Sequence, residues 1–278
     1  MHNYHDTHRT LPSGFVRKGF AGYGATWAEI CTSKSDGSAI DNSNRGWAWG
    51  AYILPFVDQA PLFNQLRIEG CRPSNSGSTA GPYSGQGGPP LRTVLPAFTC
   101  PSSPNEGRDI NNSLQNYAVS NYLINWRIGD RNTRRKLRDI TDGTSNTIMI
   151  GERQLNKRTN PGAGGNFEDR QIGGIIYSVA ANTTASVTGR QQWPINSPYL
   201  GNTGCCGNDG PLTRYAFASL HTGGAHFVMC DGSVRFIGEN IESDPNAPAA
   251  TTNNGRYNGN FLYQNLMNIN DGNPIGNF

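Results

Sequence analysis

The feature that most constrains the fold of this chain is a pair of β-prone runs separated by only two turn-forming residues. Residues 225–230 and 233–237 are rich in apolar and β-branched side chains, and Asp231-Gly232 lies between them. Asp-Gly favours the left-handed dihedral angles of a type I′ turn. Side-chain alternation along the first run gives two faces, neither of them strongly polar. The sequence therefore predicts a β-hairpin that is central in its sheet or covered on both faces.

The rest of the chain is dominated by turns. It has 35 Gly and 17 Pro in 278 residues, and only 15% of its residues are charged. Low-complexity or Pro- and Asn-rich stretches at residues 73–90, 180–212 and 243–258 are typical of surface loops, because they cannot bury enough apolar area to offset the entropy of ordering. We expect a single domain over residues 1–278, with these three stretches as loop insertions.

Apolar spacing predicts a few short elements. Residues 47–66 show three-to-four periodicity with an interruption, which indicates two short helices, and residues 261–269 indicate a terminal helix. Strand-like runs alternate with Asn, Asp and Gly clusters at residues 92–98, 117–124, 147–150 and 172–179. The pattern predicts an α+β fold with an antiparallel sheet, few short helices and long loops.

Charge and hydropathy exclude several partners. The formal net charge is +3, from 23 basic and 20 acidic residues, which is too close to neutral to favour nucleic acid. No run of about 18 apolar residues occurs, so we expect no membrane insertion by this chain as given. The six cysteines lack the paired Cys-x-x-Cys spacing of structural zinc sites, which favours disulfides in an oxidising compartment; the alternative is buried free thiols.

His221 and Asp231 are the first candidate for chemistry. A histidine titrates near neutral pH and a carboxylate offers hard oxygen ligands, so the pair could perform acid–base work or bind a metal ion. The alternative is that Asp231 only forms the turn and His221 is a hydrogen-bonded histidine at a strand end. We favour this alternative, because no nucleophile or third ligand is fixed by the spacing.

Two further groups of residues are candidate binding sites. Asp139, Asp142 and Asn146 lie in a stretch dense in oxygen-bearing side chains, which makes Ca²⁺ the candidate cofactor. The same residue types cap helices and close turns, and this second interpretation is the stronger. Trp126 and Trp193 are candidate stacking surfaces for a carbohydrate ligand.

Several blocks of the sequence together carry a family resemblance. They include the opening His-Asn-Tyr-His-Asp-Thr-His, the block from Trp47, Phe98-Thr-Cys-Pro-Ser, Asn121-Tyr122, the block from Asp139 through Gly151-Glu152, and His221 with Asp231-Gly232. The chain resembles a large family of pilin-like proteins without established function, typical of planctomycete bacteria, that share a His-x9-Asp-Gly motif. The resemblance covers nearly the whole chain, and the loops at 73–90 and 180–212 diverge most.

The resemblance implies an exported protein of the type IV pilin or type II secretion pseudopilin kind. Members have a prepilin-like leader and an apolar N-terminal helix before a β-rich domain, and this chain starts where that helix should end. The resemblance gives importance but no chemical role to His221, Asp231 and Gly232. We therefore expect a non-enzymatic structural or assembly protein, extracellular, at the cell surface or periplasmic, in a homo-oligomer or a pilus- or secretion-type assembly. The alternatives are a carbohydrate- or surface-binding module and, less favoured, a metal-dependent hydrolase.

Overall fold

A computed structural model describes residues 1–16, 47–66, 68, 89–103, 107, 118–130, 132–154, 187–197, 216–244, 260–273 and 275. The helices among them are α1 (His2–His8), α2 (Trp49–Tyr52), α3 (Ala60–Leu66) and α4 (Leu262–Met267). The strands are β1 (Tyr122–Asn125), β2 (Ile148–Glu152), β3 (Thr188–Gly189), β4 (Gly224–Met229) and β5 (Val234–Gly238). The predicted α+β class with few short helices is confirmed. Among the described residues, no helix combines the length and apolar character needed to cross a membrane.

The strands form one mixed sheet in the order β3-β1-β2-β4-β5. All neighbours are antiparallel except β1 and β3, which are parallel. Tyr122 on β1 pairs with Glu152 on β2, and Gly151 pairs with Phe227 on β4. The start of β1, the end of β2 and the start of β4 therefore lie at the same end of the sheet, where the candidate site is found.

Apolar side chains pack on both faces of the sheet. One cluster joins residues of α2 and α3 to Ile124, Met149 and Cys230, with Tyr4 of α1 packed against it. The other contains Leu123, Phe227 and Met229 with the buried face of α4. Successive residues of one strand, such as Leu123 and Ile124, thus enter different clusters, as the two-residue period of a strand requires.

The hairpin is present, but its turn differs from the predicted type. Gly232 N–H donates to Met229 O (3.0 Å) and Met229 N–H donates to Ser233 O (2.8 Å). Gly232 has a positive φ of 90° and Asp231 does not, which excludes type I′ and indicates a type I turn followed by a glycine bulge. The expectation of a covered hairpin is also wrong for β5, an edge strand on which Val234 and Phe236 are 63% and 49% exposed.

The other element predictions had mixed outcomes. The helices in residues 47–66 are confirmed, with the break occupied by a 3₁₀ turn at Leu54–Phe56; the terminal helix is confirmed as α4. Residues 147–150 fall largely in β2, and residues 117–124 overlap β1. The predicted strand at 92–98 is wrong, since 3₁₀ turns occupy Pro89–Arg92 and Pro96–Phe98. The physical reason is that proline fixes φ and cannot donate a hydrogen bond to a neighbouring strand. Residues 172–179 lie outside the described residues.

The described cysteines are not in disulfides. Cys100 and Cys230 are both buried free thiols, so the disulfide expectation is wrong for these two; the other four cysteines lie outside the described residues. Cys230 packs in an apolar cluster, whereas Cys100 lies among polar side chains. Burial raises the pKa of the Cys230 thiol, with a smaller contribution from the Asp231 charge.

Candidate functional site

Three side chains from distant parts of the chain converge at the end of the sheet shared by β1, β2 and β4. His221 Nε2 lies 3.2 Å from Glu152 Oε1 and 3.9 Å from Cys100 Sγ, and Cys100 Sγ lies 3.8 Å from Glu152 Oε1. Cys100 and Glu152 are buried, and the His221 side chain is 33% exposed. This is the group of three His, Cys, Asp or Glu residues in the described chain whose ligand atoms lie close enough to share one metal ion.

Glu152 is fixed by its position as the last residue of β2. Its backbone carbonyl accepts a hydrogen bond from Ala218 N–H at 3.0 Å. Its Oε2 accepts a hydrogen bond from the backbone N–H of His226 at 2.7 Å, and the His226 ring nitrogen Nδ1 lies 3.5 Å away. Oε2 therefore accepts a hydrogen bond from the β4 backbone, whereas Oε1 faces Cys100 and His221.

Cys100 follows the 3₁₀ turn Pro96–Phe98 and is held by the buried amide of Asn121. Asn121 Oδ1 accepts from Cys100 N–H at 3.0 Å, and Asn121 Nδ2 donates to Ser103 Oγ and to Arg153 O, each at 3.1 Å. Cys100 Sγ also lies 3.0 Å from Ser102 Oγ. One amide side chain thus joins the cysteine loop to the residue that follows β2.

His221 is held in the loop that enters β4. Its N–H donates to Ser219 Oγ at 3.1 Å, and that hydroxyl donates to Gly224 O at 2.5 Å. Gly223 has φ of 81°, a left-handed conformation that favours glycine and turns the backbone sharply between His221 and the strand. The His221 ring also stacks edge-on against His226, with the ring centroids 4.9 Å apart.

An open pocket reaches the cluster. It encloses about 220 Å³, counting the space at its mouth, and its lining includes Cys100, Glu152 and Ser219. Tyr122 lies at the same end of the sheet. Burial raises the pKa of the Tyr122 hydroxyl, and the charges of Cys100 and Glu152 raise it further. The site is thus solvent-accessible on one side.

The arrangement differs from a nucleophile–histidine–acid triad. In a triad the histidine uses one ring nitrogen toward the nucleophile and the other toward the acid. Here both Cys100 and Glu152 face the same atom, Nε2 of His221. Three ligand atoms this close to one another can coordinate one cation between them.

The structure separates the two residues of the predicted His–Asp pair. His221 pairs with Glu152, whereas Asp231 is an exposed hairpin residue whose Oδ1 accepts from Ser233 N–H (2.9 Å) and Ser233 Oγ (2.7 Å). These two bonds from Ser233 lower the pKa of the Asp231 carboxyl. Gly232 supplies the positive φ of the bulge. The turn interpretation therefore accounts for Asp231 and Gly232, and His221 is, as the same alternative expected, a hydrogen-bonded histidine just before a strand.

The carboxylates of the candidate Ca²⁺ group bind backbone amides. Asp139 Oδ2 accepts from Lys136 N–H at 2.8 Å. Asp142 accepts from Asp271 N–H at 2.7 Å and from Gly272 N–H at 3.0 Å. Asn146 lies in a 3₁₀ turn, Thr144–Asn146. These contacts are the capping and turn roles that short polar side chains commonly take, and they give the Ca²⁺ hypothesis no added support.

The two candidate stacking tryptophans are placed differently from each other. Trp193 is 5% exposed, so its ring offers little surface to a carbohydrate. Trp126 is partly buried; the Arg127 guanidinium lies 4.4 Å from its ring centroid, and Nε1 donates to Gln191 Oε1. The carbohydrate-binding alternative gains no direct support from these positions.

Sequence reasoning did not identify Cys100 and Glu152 as site residues. Spacing could not reveal them, because the two residues are 52 positions apart and Cys100 and His221 are 121 apart. The available signal was indirect. The blocks Phe98-Thr-Cys-Pro-Ser, Asn121-Tyr122 and Gly151-Glu152, quoted for the family resemblance, each contribute a side chain to the place where His221 lies.

The comparisons with known proteins give a family. The family model described as "Protein of unknown function (DUF1559)" matches residues 1–244. Searches of curated proteins and of solved structures found no match. The matched range includes all three converging residues and most of the 278-residue sequence, and the chain therefore belongs to the DUF1559 family.

Proposed function

We propose that this protein is a non-enzymatic structural or assembly subunit of the pilin- or pseudopilin-like kind, exported to the cell surface or periplasm. The observation that supports this best is the docking of α1 against the sheet domain. His2 Nε2 lies 2.8 Å from Cys230 O, in the turn of the β4–β5 hairpin. The Tyr4 ring stacks edge-on against Phe56, with the ring centroids 5.8 Å apart.

The docking is significant because α1 has only 7 residues. Isolated helices shorter than about 12–15 residues are marginal in water, so tertiary contacts stabilise this one. Met1 and Tyr4 both pack against the apolar cluster. A helix joined to the sheet domain in this way can transmit position from a filament or membrane platform to the domain, which is the architecture that the resemblance implies.

Immunogold electron microscopy of the native cells tests this proposal. An antibody to the domain should label surface filaments or a periplasmic assembly, and a deletion strain should lose the label. Label confined to the cytoplasm would refute the proposal.

Two complementing variants connect the assembly to the helix docking. Tyr4→Ala removes the ring that contacts Phe56 and should reduce assembled protein. Thr7→Ala is the matched control, because among the described residues the exposed Thr7 hydroxyl bonds only within its own helix, to Asn3 O at 2.9 Å. Equal amounts of assembled protein for both variants, at equal expression, would contradict the role given to α1.

A further inference from the structure

We propose that Cys100, Glu152 and His221 together bind one divalent transition-metal ion of the zinc class. This inference is independent of the proposed function, since a surface subunit and an enzyme could both carry such a site. It differs from the predicted His221–Asp231 pair and from the Ca²⁺ group. It depends on three ligand atoms that all lie within 4.8 Å of one another.

The distances suit a single small cation. With metal–sulfur bonds of about 2.3 Å and metal–nitrogen or metal–oxygen bonds of about 2.0–2.2 Å, tetrahedral geometry places ligand atoms roughly 3.3–3.6 Å apart. The nitrogen–oxygen separation is 3.2 Å, and the two separations from sulfur are 3.8 and 3.9 Å. A contraction of a few tenths of an ångström at Cys100 Sγ completes the three-ligand geometry.

The chemistry of the donors selects the class of metal. Ca²⁺ and Mg²⁺ prefer oxygen ligands only, whereas thiolate and imidazole favour Zn²⁺ and its neighbours. Binding releases the Cys100 thiol proton, so the thiolate and the Glu152 carboxylate contribute two negative charges and His221 is neutral. A divalent ion then makes the buried group electrically neutral, which is the condition for burying charge at low cost.

The neighbouring contacts hold the ligands in the required orientation. Asn121 fixes the backbone of Cys100, and His226 N–H occupies the second carboxylate oxygen of Glu152. Such outer contacts orient metal ligands and affect affinity by about 10–100-fold. An open pocket lies beside two of the three ligands, Cys100 and Glu152.

Metal titration of the full-length, tag-free protein tests the inference. The protein is first dialysed against a chelator and kept reduced. Zn²⁺ binding is measured by competition with a chromophoric chelator and by elemental analysis after desalting. Co²⁺ serves as the spectroscopic probe, because a cobalt–thiolate bond produces a near-ultraviolet charge-transfer band that oxygen and nitrogen ligands do not.

The variants are Cys100→Ser, Glu152→Gln and His221→Gln. Asp231→Asn is the matched control: it tests the other titratable residue of the family motif, and its amide oxygen can still accept the Ser233 bonds. Cys230→Ala controls for loss of a buried thiol. Circular dichroism of each metal-free variant establishes that it is folded, and His221→Gln keeps the test decisive if a buried substitution prevents folding.

We expect wild type, Asp231→Asn and Cys230→Ala each to bind one Zn²⁺ per protein chain. Cys100→Ser should lack this bound ion. Glu152→Gln and His221→Gln should bind at least about 100-fold more weakly, a larger loss than outer contacts cause. The charge-transfer band should disappear in Cys100→Ser alone. The inference is overturned if Cys100→Ser or folded His221→Gln binds with wild-type affinity, or if wild-type protein binds no metal or shows no thiolate band.

Discussion

Replacing Asn121 by alanine removes three hydrogen bonds that join the cysteine loop to β1 and to the residue after β2. Asn121 is 2% exposed, so water cannot readily replace the lost partners. Three bonds at about 1 kcal/mol each, plus the cost of leaving buried groups such as the Cys100 amide unpaired, give a loss of about 3–5 kcal/mol. This is a large part of a typical domain stability of about 5–15 kcal/mol.

The chain offers a matched control at Asn125, the last residue of β1, which Asn121 immediately precedes. Asn125 is fully buried; its Nδ2 donates to Ile148 O (2.7 Å) and Met267 O (2.8 Å), and its Oδ1 accepts from Arg127 N–H (2.9 Å). Asn125→Ala therefore removes the same number of bonds from the same residue type. The two variants should be destabilised to a similar extent, but only Asn121→Ala should disturb Cys100.

Urea unfolding monitored by tryptophan fluorescence measures both losses, and thermal midpoints should fall by roughly 6–20 °C. Co²⁺ titration of the folded variants then gives the second measurement, in which Asn121→Ala should lose about 10–100-fold in affinity and Asn125→Ala should retain it. A stability loss below about 1 kcal/mol for Asn121→Ala would refute the conclusion that the Asn121 hydrogen bonds stabilise the fold. Equal metal affinities of the two variants would refute the link between this amide and the cysteine.

Three other predictions concern the stability of the domain. Gly232→Ala should cost about 1–2 kcal/mol in unfolding free energy, because φ is 90° there although a methyl group would have room. Gly151→Ala should cost about 1–3 kcal/mol or more, since its Cβ would lie 2.5 Å from two buried phenylalanine rings; calorimetry measures both losses. Burial raises the pKa of Cys230 and Tyr263 above their ordinary 9.0 and 10.0. The unfolded chain therefore ionises first, so stability should fall as pH rises above about 9; a flat denaturation midpoint from pH 8 to 11 would contradict this.

The sequence predicted those parts of the fold whose signals are local. The hairpin, the interrupted helices of residues 47–66 and α4 follow from turn residues and apolar spacing within about 20 positions. The prediction of the turn type was wrong, because Asp-Gly is compatible both with a type I′ turn and with a type I turn plus glycine bulge. At residues 92–98 the β-prone composition was overridden by proline, which began 3₁₀ turns instead.

The site was less predictable, because its residues are far apart in the sequence and only the tertiary structure brings them together. His221 was recognised, but the Asp nearest to it along the motif lies in an exposed turn, and its actual partner, Glu152, is 69 residues earlier. The contact exists because β2 and β4 are neighbours, which no local pattern encodes. Cys100 was interpreted as a disulfide cysteine since an even cysteine count favours that use; its surroundings of Asn121, Ser102 and Glu152 became visible only in the fold.

The difference between a disulfide and the proposed metal site has a physical consequence for this protein. A disulfide stabilises mainly by constraining the unfolded chain, so its effect persists in any oxidising solution. A metal bound by Cys100, Glu152 and His221 would dissociate on unfolding, since the ligands are up to 121 residues apart. Its contribution would then be RT ln(1 + [M]/Kd), about 2.7 kcal/mol at a free metal concentration of 100 Kd. A metal link between the Cys100 loop, β2 and the loop before β4 would therefore strengthen with metal supply and be lost to a chelator, whereas the apolar clusters on the two faces of the sheet would be unaffected.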